Sequence, residues 1–432
     1  MGRKIRMLIF TFVVASLLVV ASMGSAFAQE TTVTVWAWQF PADCAQASME
    51  RFNALYPDIN VEWEIMGPGD LYDNLLLALS AREGAPDAVC LESSHLAQYV
   101  ALGGLLDITD RALPYYDKME TAKWIEARDE QGRIYAMPLD SGPVAIWYRR
   151  DIFENAGLPS DPESVAELLD TWDDFYEVAK LIKERSGVYM FADPGASDGR
   201  LFEMLLWQQE AGYVDRKDKV VIDSPKAVRT LEWLGKFHKE DLVQDTSPWT
   251  AGWYAGIDEG GVATIIEAVW MGGFLWSWIT PGSAGNWGVV PLPVWEKDGV
   301  RSSNDGGSTY AITNQCPEEK IEATWKFLEF FTADRQALLA GWRLLDNFPS
   351  LMECWTDPLV EEEVAFFGGQ KYRKVFTEAA KKIPWWNYTK DYSEMNSIAQ
   401  VYLTAYNLGD ETDAQEALTQ AAAEIRARTG RE

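Results

Sequence analysis

The chain has 432 residues, 47% of them hydrophobic and 24% charged, a composition ordinary for a globular protein but a length beyond what one hydrophobic core usually serves, so two lobes are expected. Its formal charge of −28 repels phosphate backbones and anionic lipid heads alike, which excludes nucleic acid as a natural partner. With only His95 and His238, and with Cys44, Cys90, Cys316 and Cys354 at spacings that match no zinc pattern, neither a metal site nor a cofactor is called for.

Arg3, Lys4 and Arg6 precede an apolar run from Met7 to Val20, and Ala26-Phe27-Ala28 fits a small-x-small cleavage site, so residues 1–28 read as a signal peptide. Its removal takes away three basic groups and no acids, moving the formal charge to −31. The product is expected to be periplasmic or secreted, soluble and monomeric. An oxidising compartment permits disulfides; the sequence leaves all three pairings open, and neighbourhood along the chain points to Cys44 with Cys90 and Cys316 with Cys354.

Thr31 to Trp38 reads as a buried strand, and Asp43 opens a helix with Ala45, Met49, Phe52 and Tyr56 on one face before Pro57 closes it. Val61, Trp63 and Ile65 alternate as a second strand. Asp70 is placed to cap a helix carrying Leu71, Leu75 and Leu79, and Pro86 to Leu91 makes a third strand. This β-α-β-α-β order predicts a mainly parallel sheet, whose ligands collect at the carboxyl ends of the strands, where Trp38 and Glu92 stand.

Ile134 to Met137 and Val144 to Tyr148 are strand-like runs separated by Pro138, Gly142 and Pro143, which withdraw ladder donors and favour a turn. The break reads as a crossover between lobes. Beyond it, Thr171 and Asp174 form a capping box for a helix ending at Gly187, and Val188 to Phe191 is the next strand. Helices follow through Leu201, Met204, Leu205 and Gln208 and, capped by Ser224, through Val228, Leu231 and Leu234. Val262 to Ile266 and a run ending at Pro291 are further strands. The polar segment Glu296 to Gly307 reads as a flexible second crossing, Ser308 to Ile312 as a return strand to the first sheet, and Asp346 to Pro349 as a third crossing. The expected lobes are therefore 29–142 with 300–345, and 143–299 with 346–432.

Four blocks of this chain resemble those of extracellular solute-binding proteins of carbohydrate ABC transporters, the group that includes maltose-binding protein. They are GAPDAVCLESSHLAQYVALGGLLDIT from Gly84, GRIYAMPLDSGPVAIWYRRDIFENAGL from Gly132, the segment Gly261 to Trp270, and Gly306-Gly307 joined to the helix Ala323 to Phe331. Two departures stand out: Arg149-Arg150 replaces the usual Asn-Lys, and Ser350-Leu351 follows Pro349 where relatives often carry a basic residue. The resemblance implies an α/β fold of two lobes that closes on a carbohydrate and presents the closed form to a membrane permease. It also implies that Trp270 stacks on the sugar and that Glu267 occupies an acidic or amide contact position.

The residues point the same way, since Trp accounts for 20 positions and sugars are held by aromatic faces and by planar polar groups on their hydroxyls. Trp38, Glu92 and Asp140 are candidates from their places at strand ends and in the crossover, and Gly307 as a point of close backbone approach. Trp207 and Trp253, with Trp276, Trp385 and Trp386, are further candidates that read more readily as packing, and Trp36 reads as core. Two other readings stay open: the same fold holding a polyamine, amino-sugar or glycerol phosphate ester, and a secreted glycoside hydrolase built on a carboxylate pair.

Overall fold

The computed structural model describes residues 30–384 and 388–432; the leader, Trp385 and Trp386 lie outside the described residues. β1 (Thr31–Ala37) turns Val33, Val35 and Ala37 inward and pairs in parallel along its whole length with β2 (Ile59–Ile65), an edge strand that leaves Glu62 and Glu64 in solvent. β3 (Ala88–Glu92) continues the parallel order on the other side of β1. β4 (Ala136–Pro138) closes the far edge of this first sheet.

Two local expectations change here. The helix read from Asp43 is two helices, Gln39–Gln46 and Met49–Leu55, broken where Ser48 turns its hydroxyl to the Ala337 carbonyl at 3.3 Å. In the helix Pro68–Ala81 the N-cap is Gly67, and Asp70 sits inside the first turn, where its charge still complements the helix dipole.

The chain then builds a second sheet from β5 (Val144–Arg149), preceded by the crossover, with a small parallel pair, β6 (Phe191–Ala192) and β7 (Val243–Gln244), alongside. β6 is shorter than expected because Tyr189 makes only an isolated bridge to Val262. β8 (Thr264–Ala268) and β9 (Trp287–Val290) flank β5, both antiparallel to it. The helix Trp172–Ser186 carries the expected capping box, with Thr171 and Asp174 each accepting from the other's backbone N–H, and ends at Gly187 in the left-handed region. Ser224 stands at the N-cap of Pro225–Lys239, but its hydroxyl makes no capping bond. Trp172, Phe175, Phe191, Trp233 and Phe237 cluster behind this sheet at centroid spacings of 4.5–6.4 Å. Burying each such ring contributes about 1.5–3 kcal/mol.

β10 (Ser308–Ile312) returns to the first sheet between β3 and β4, antiparallel to both, giving the order β2-β1-β3-β10-β4. Two segments, 139–143 and 291–307, thus run between the two sheets, and 346–350 lies beside them after the helix Arg335–Leu345. They lie against one another. Ser141 N–H donates to Phe348 at 2.9 Å, Ser350 N–H to Leu139 at 3.1 Å, Asp305 N–H to Gly142 at 2.8 Å, and Gly142 N–H to the Asn304 side chain at 3.1 Å. A Cβ on Gly142 would fall 1.8 Å from the Asp305 carbonyl oxygen, so only glycine allows that approach. The second crossing is accordingly no flexible tether: Ser302, Ser303 and Asn304 are fully buried, with Ser302 and Ser303 donating to the Ala379 and Met204 carbonyls.

All four cysteines are buried free thiols, and neither expected pairing forms. Cys44 packs against Gly341, Cys90 lies inside β3, Cys316 Sγ is 3.5 Å from the Thr324 hydroxyl, and Cys354 is buried in the turn Met352–Thr356. No helix among the described residues is long and apolar enough to cross a membrane.

Candidate functional site

The carboxyl ends of β1 and β3, the end of β8 and the buried crossings converge on one cleft. Glu92 ends β3 and stands at the start of the helix Ser93–Ala101. Its pKa is raised, because burial disfavours the charge and Asp305 adds to that, against the opposing pull of Arg200 from the facing lobe.

Arg200 is the first residue of the helix Arg200–Trp207, preceded by Gly199 in the left-handed region. Its guanidinium is ion-paired with Asp305 and lies 3.6 Å from Glu267 Oε2. Burial works against its charge, but Asp305 and Glu267 outweigh that and hold its pKa well above the ordinary value. Glu267, near the end of β8, is pushed far up by burial and by Asp305, which Arg200 only partly offsets. One guanidinium therefore faces three carboxylates, and burial holds Glu92 and Glu267 above the ordinary carboxylate range despite it.

Two residues past β8, Trp270 donates its indole N–H to the Asp305 carbonyl at 3.3 Å and carries the Arg200 guanidinium 5.2 Å from its ring centroid. Trp249 and Phe274 stand 5.7 and 5.6 Å from it, and Trp253 packs on Trp249 at 5.1 Å from the helix Ala251–Asp258, capped by Thr250. Trp253, Arg200 and Glu267 border a cavity of about 40 Å³ with Asp193 and Asp198, water-sized rather than sugar-sized. From the first lobe, half-buried Trp38 opens the helix Gln39–Gln46, and Phe40 in its first turn reaches Phe274.

Asp140 and Gly307 serve the crossings in this structure. Asp140 Oδ1 accepts from Ser308 N–H at 2.8 Å, and burial lifts its pKa to about 6 against the pull of Lys123. Gly307 makes room for a side chain of the protein itself, since a Cβ there would lie 2.3 Å from Lys123 Nζ. Lys123, fully buried, donates to the Gly306 carbonyl at 3.0 Å and to Ser93 Oγ at 3.2 Å, and pairs with Glu126 at 3.2 Å.

Trp207 is buried at a lobe contact, edge to face with Tyr388 at 5.4 Å, with Ala122 of the first lobe packed on the pair. Trp276 belongs behind the second sheet, against Phe367 and Tyr372. Trp36 is half-buried and packs against the core. Sequence reasoning missed Arg200, Asp305, Lys123 and Trp249. A signal existed for Asp305, in the Asn-Asp-Gly-Gly run, but the polarity of that run was read as mobility.

A sequence profile of the family described as bacterial extracellular solute-binding protein matches residues 41–338. An arabinooligosaccharide-binding protein of Halalkalibacterium halodurans is 28% identical over 342 residues, covering 76% of this chain and 74% of its own. A lactose-binding protein of Rhizobium radiobacter is 27% identical over 396 residues, covering 90% and 91%. Among solved structures, the ABC transporter associated binding protein of B. animalis subsp. lactis Bl-04 in complex with beta-1,6-galactobiose superposes with a TM-score of 0.78 at 25% identity, over 93% of this chain and 98% of its own.

Proposed function

The chain belongs to the bacterial extracellular solute-binding protein family, and from that membership we propose that it captures a sugar or oligosaccharide outside the cytoplasm and delivers it to the permease of an ABC transporter. The observation that carries this reading is the composition of the cleft, in which indole rings stand beside one guanidinium and several carboxylates drawn from both lobes and a crossing. Aromatic faces suit the C–H surface of a sugar ring, and charge-assisted bonds suit its hydroxyls. The names of the relatives support a saccharide over a polyamine or phosphate ester.

In this reading the lobes comprise 29–142 with 300–345 and 143–299 with 346–432, a division supported by the two sheets and the buried crossings. Trp38 and Glu92 contact the ligand from the first lobe; Glu267, Trp253 and Trp270 form the opposing wall, with Trp207 at the lobe contact. Asp140 and Gly307 act through the crossings. Ligand held by both lobes stabilises the closed state by its differential affinity for it, and the permease reads that state. Residues 1–28 direct export and are removed, and the protein acts as a monomer in the periplasm or secreted.

Thermal shift of the purified protein against arabino-oligosaccharides, lactose, maltotriose and spermidine tests the assignment, because a ligand that binds only the folded form raises the melting temperature. A response to at least one saccharide is expected. A shift with spermidine alone would overturn the saccharide reading.

A further inference from the structure

The rings lining the cleft differ in what they leave for a ligand. Trp270 is 9% exposed and Trp253 is 4% exposed, each covered by its own neighbours, whereas Trp249 is 40% exposed. Trp249 also sits at φ +65, a left-handed conformation that a bulky residue keeps only where its surroundings hold it there. Pro248 precedes it. Just beyond, the Thr250 hydroxyl donates to the Ser247 carbonyl at 2.7 Å and caps the next helix, so the loop is pinned on both sides of the strained residue.

The indole of Trp249 rests on Trp253 at 5.1 Å, Trp270 at 5.7 Å and Phe274 at 6.0 Å, with the Arg200 guanidinium 5.6 Å from its centroid. Two of these supports reach beyond the second lobe: Arg200 pairs with Asp305 of the crossing, and Phe274 touches Phe40 of the first lobe. Trp278 is also exposed, but its ring neighbours are Tyr254 and Phe274, whereas Trp249 has a guanidinium beside it and two carboxylates just behind. A strained, outward-facing indole backed by three rings and flanked by hydrogen-bonding charges is organised to present one aromatic face.

We propose that Trp249 is the platform on which a neutral pyranose or furanose ring stacks, with Trp270 as the ring behind it and Arg200, Asp305 and Glu267 bonding hydroxyls at the platform's edge. This rests on the saccharide reading above and assigns the stacking face within it.

Calorimetry with arabinotriose, lactose and maltotriose on the wild-type protein comes first. For whichever binds, Trp249→Phe keeps affinity within about threefold, while Trp249→Gly, which adopts the same backbone without strain, loses about tenfold or more. Acrylamide quenching gives a readout that a merely structural indole would not move: saturating saccharide protects part of the wild-type tryptophan fluorescence, and Trp249→Phe loses that protection. Unchanged affinity of Trp249→Gly, or unchanged protection in Trp249→Phe, overturns the proposal and leaves the saccharide reading standing. Wild-type protein that binds none of the three overturns that reading and the proposal with it.

Discussion

Phe40 and Phe274 meet edge to face across the cleft, 5.3 Å between ring centroids, so the two lobes touch through aromatic rings beside the polar site. Such a pair contributes about 0.5–1.5 kcal/mol beyond its buried area, enough to shift the balance between open and closed forms several-fold. Phe274→Ala should raise the radius of gyration of the unliganded protein in solution scattering. Phe40→Ala should do the same, and the double variant should add little, as expected for two residues sharing one contact.

Gly142 should be the least replaceable glycine of the crossings. An alanine there drives its methyl to 1.8 Å from the Asp305 carbonyl oxygen, in backbone that is tied to Gly142 itself. Gly142→Ala is expected to lower the melting temperature by several degrees or prevent folding. Gly69→Ala, in a helix with nothing within 4 Å of the added carbon, should be neutral or slightly stabilising. Paired melting curves check both.

Acidic buffers should stabilise the protein. Burial raises Asp140 and Asp346 to about 6, Glu120 to about 7 and Glu203 to about 8. Each titrates near 4 when unfolded, so between these values the folded form holds more protons and stability falls as pH rises. Their contribution is complete below about pH 4 and is lost as pH rises through 6 to 8. Asp161 and Asp215, lowered by backbone N–H bonds, act oppositely and lose their contribution in acid. The melting temperature should peak at about pH 4 and decline toward pH 8. Glu203→Gln, which mimics the protonated acid bonded to Tyr392, should flatten the fall between pH 7 and 8.

Four buried thiols mean that oxidation state should not matter to stability. Denatured, unreduced protein is expected to take up four iodoacetamide adducts by mass spectrometry, native protein none, and reductant should leave the melting curve unmoved. A mass showing two fewer adducts would reveal a bridge.

What the sequence made legible was whatever depends on near neighbours. The capping box of Thr171 and Asp174 is three residues wide, and the helix it opens forms as read. The alternation of Thr31 to Ala37 and the β-branched run of β5 likewise declare themselves locally. The return strand Ser308–Ile312 was readable because the strand order called for one. The failures are residues whose meaning lies far along the chain. Ser302, Ser303 and Asn304 look like a tether until their partners, the Ala379 and Met204 carbonyls and the Gly142 amide, are brought beside them. Arg200 looks like a surface arginine because Asp305, its ion-pair partner, is 105 residues away. Cysteine spacing carried no information on which side of a helix or strand each sulfur faces.

The insertion of β10 between β3 and β4 sets an order on biogenesis. Thr309 donates its hydroxyl to Leu91 across 218 residues of chain, and no earlier strand stands in its place. A nascent chain that has emerged only as far as residue 307 holds β1, β2 and β3 with one flank unpaired and β4 without a neighbour. The first lobe therefore cannot finish before nearly three-quarters of the polypeptide is available. Contacts of such separation form slowly, so the first lobe stays loosely organised for most of synthesis and the cleft is assembled only in the last third of the chain's emergence.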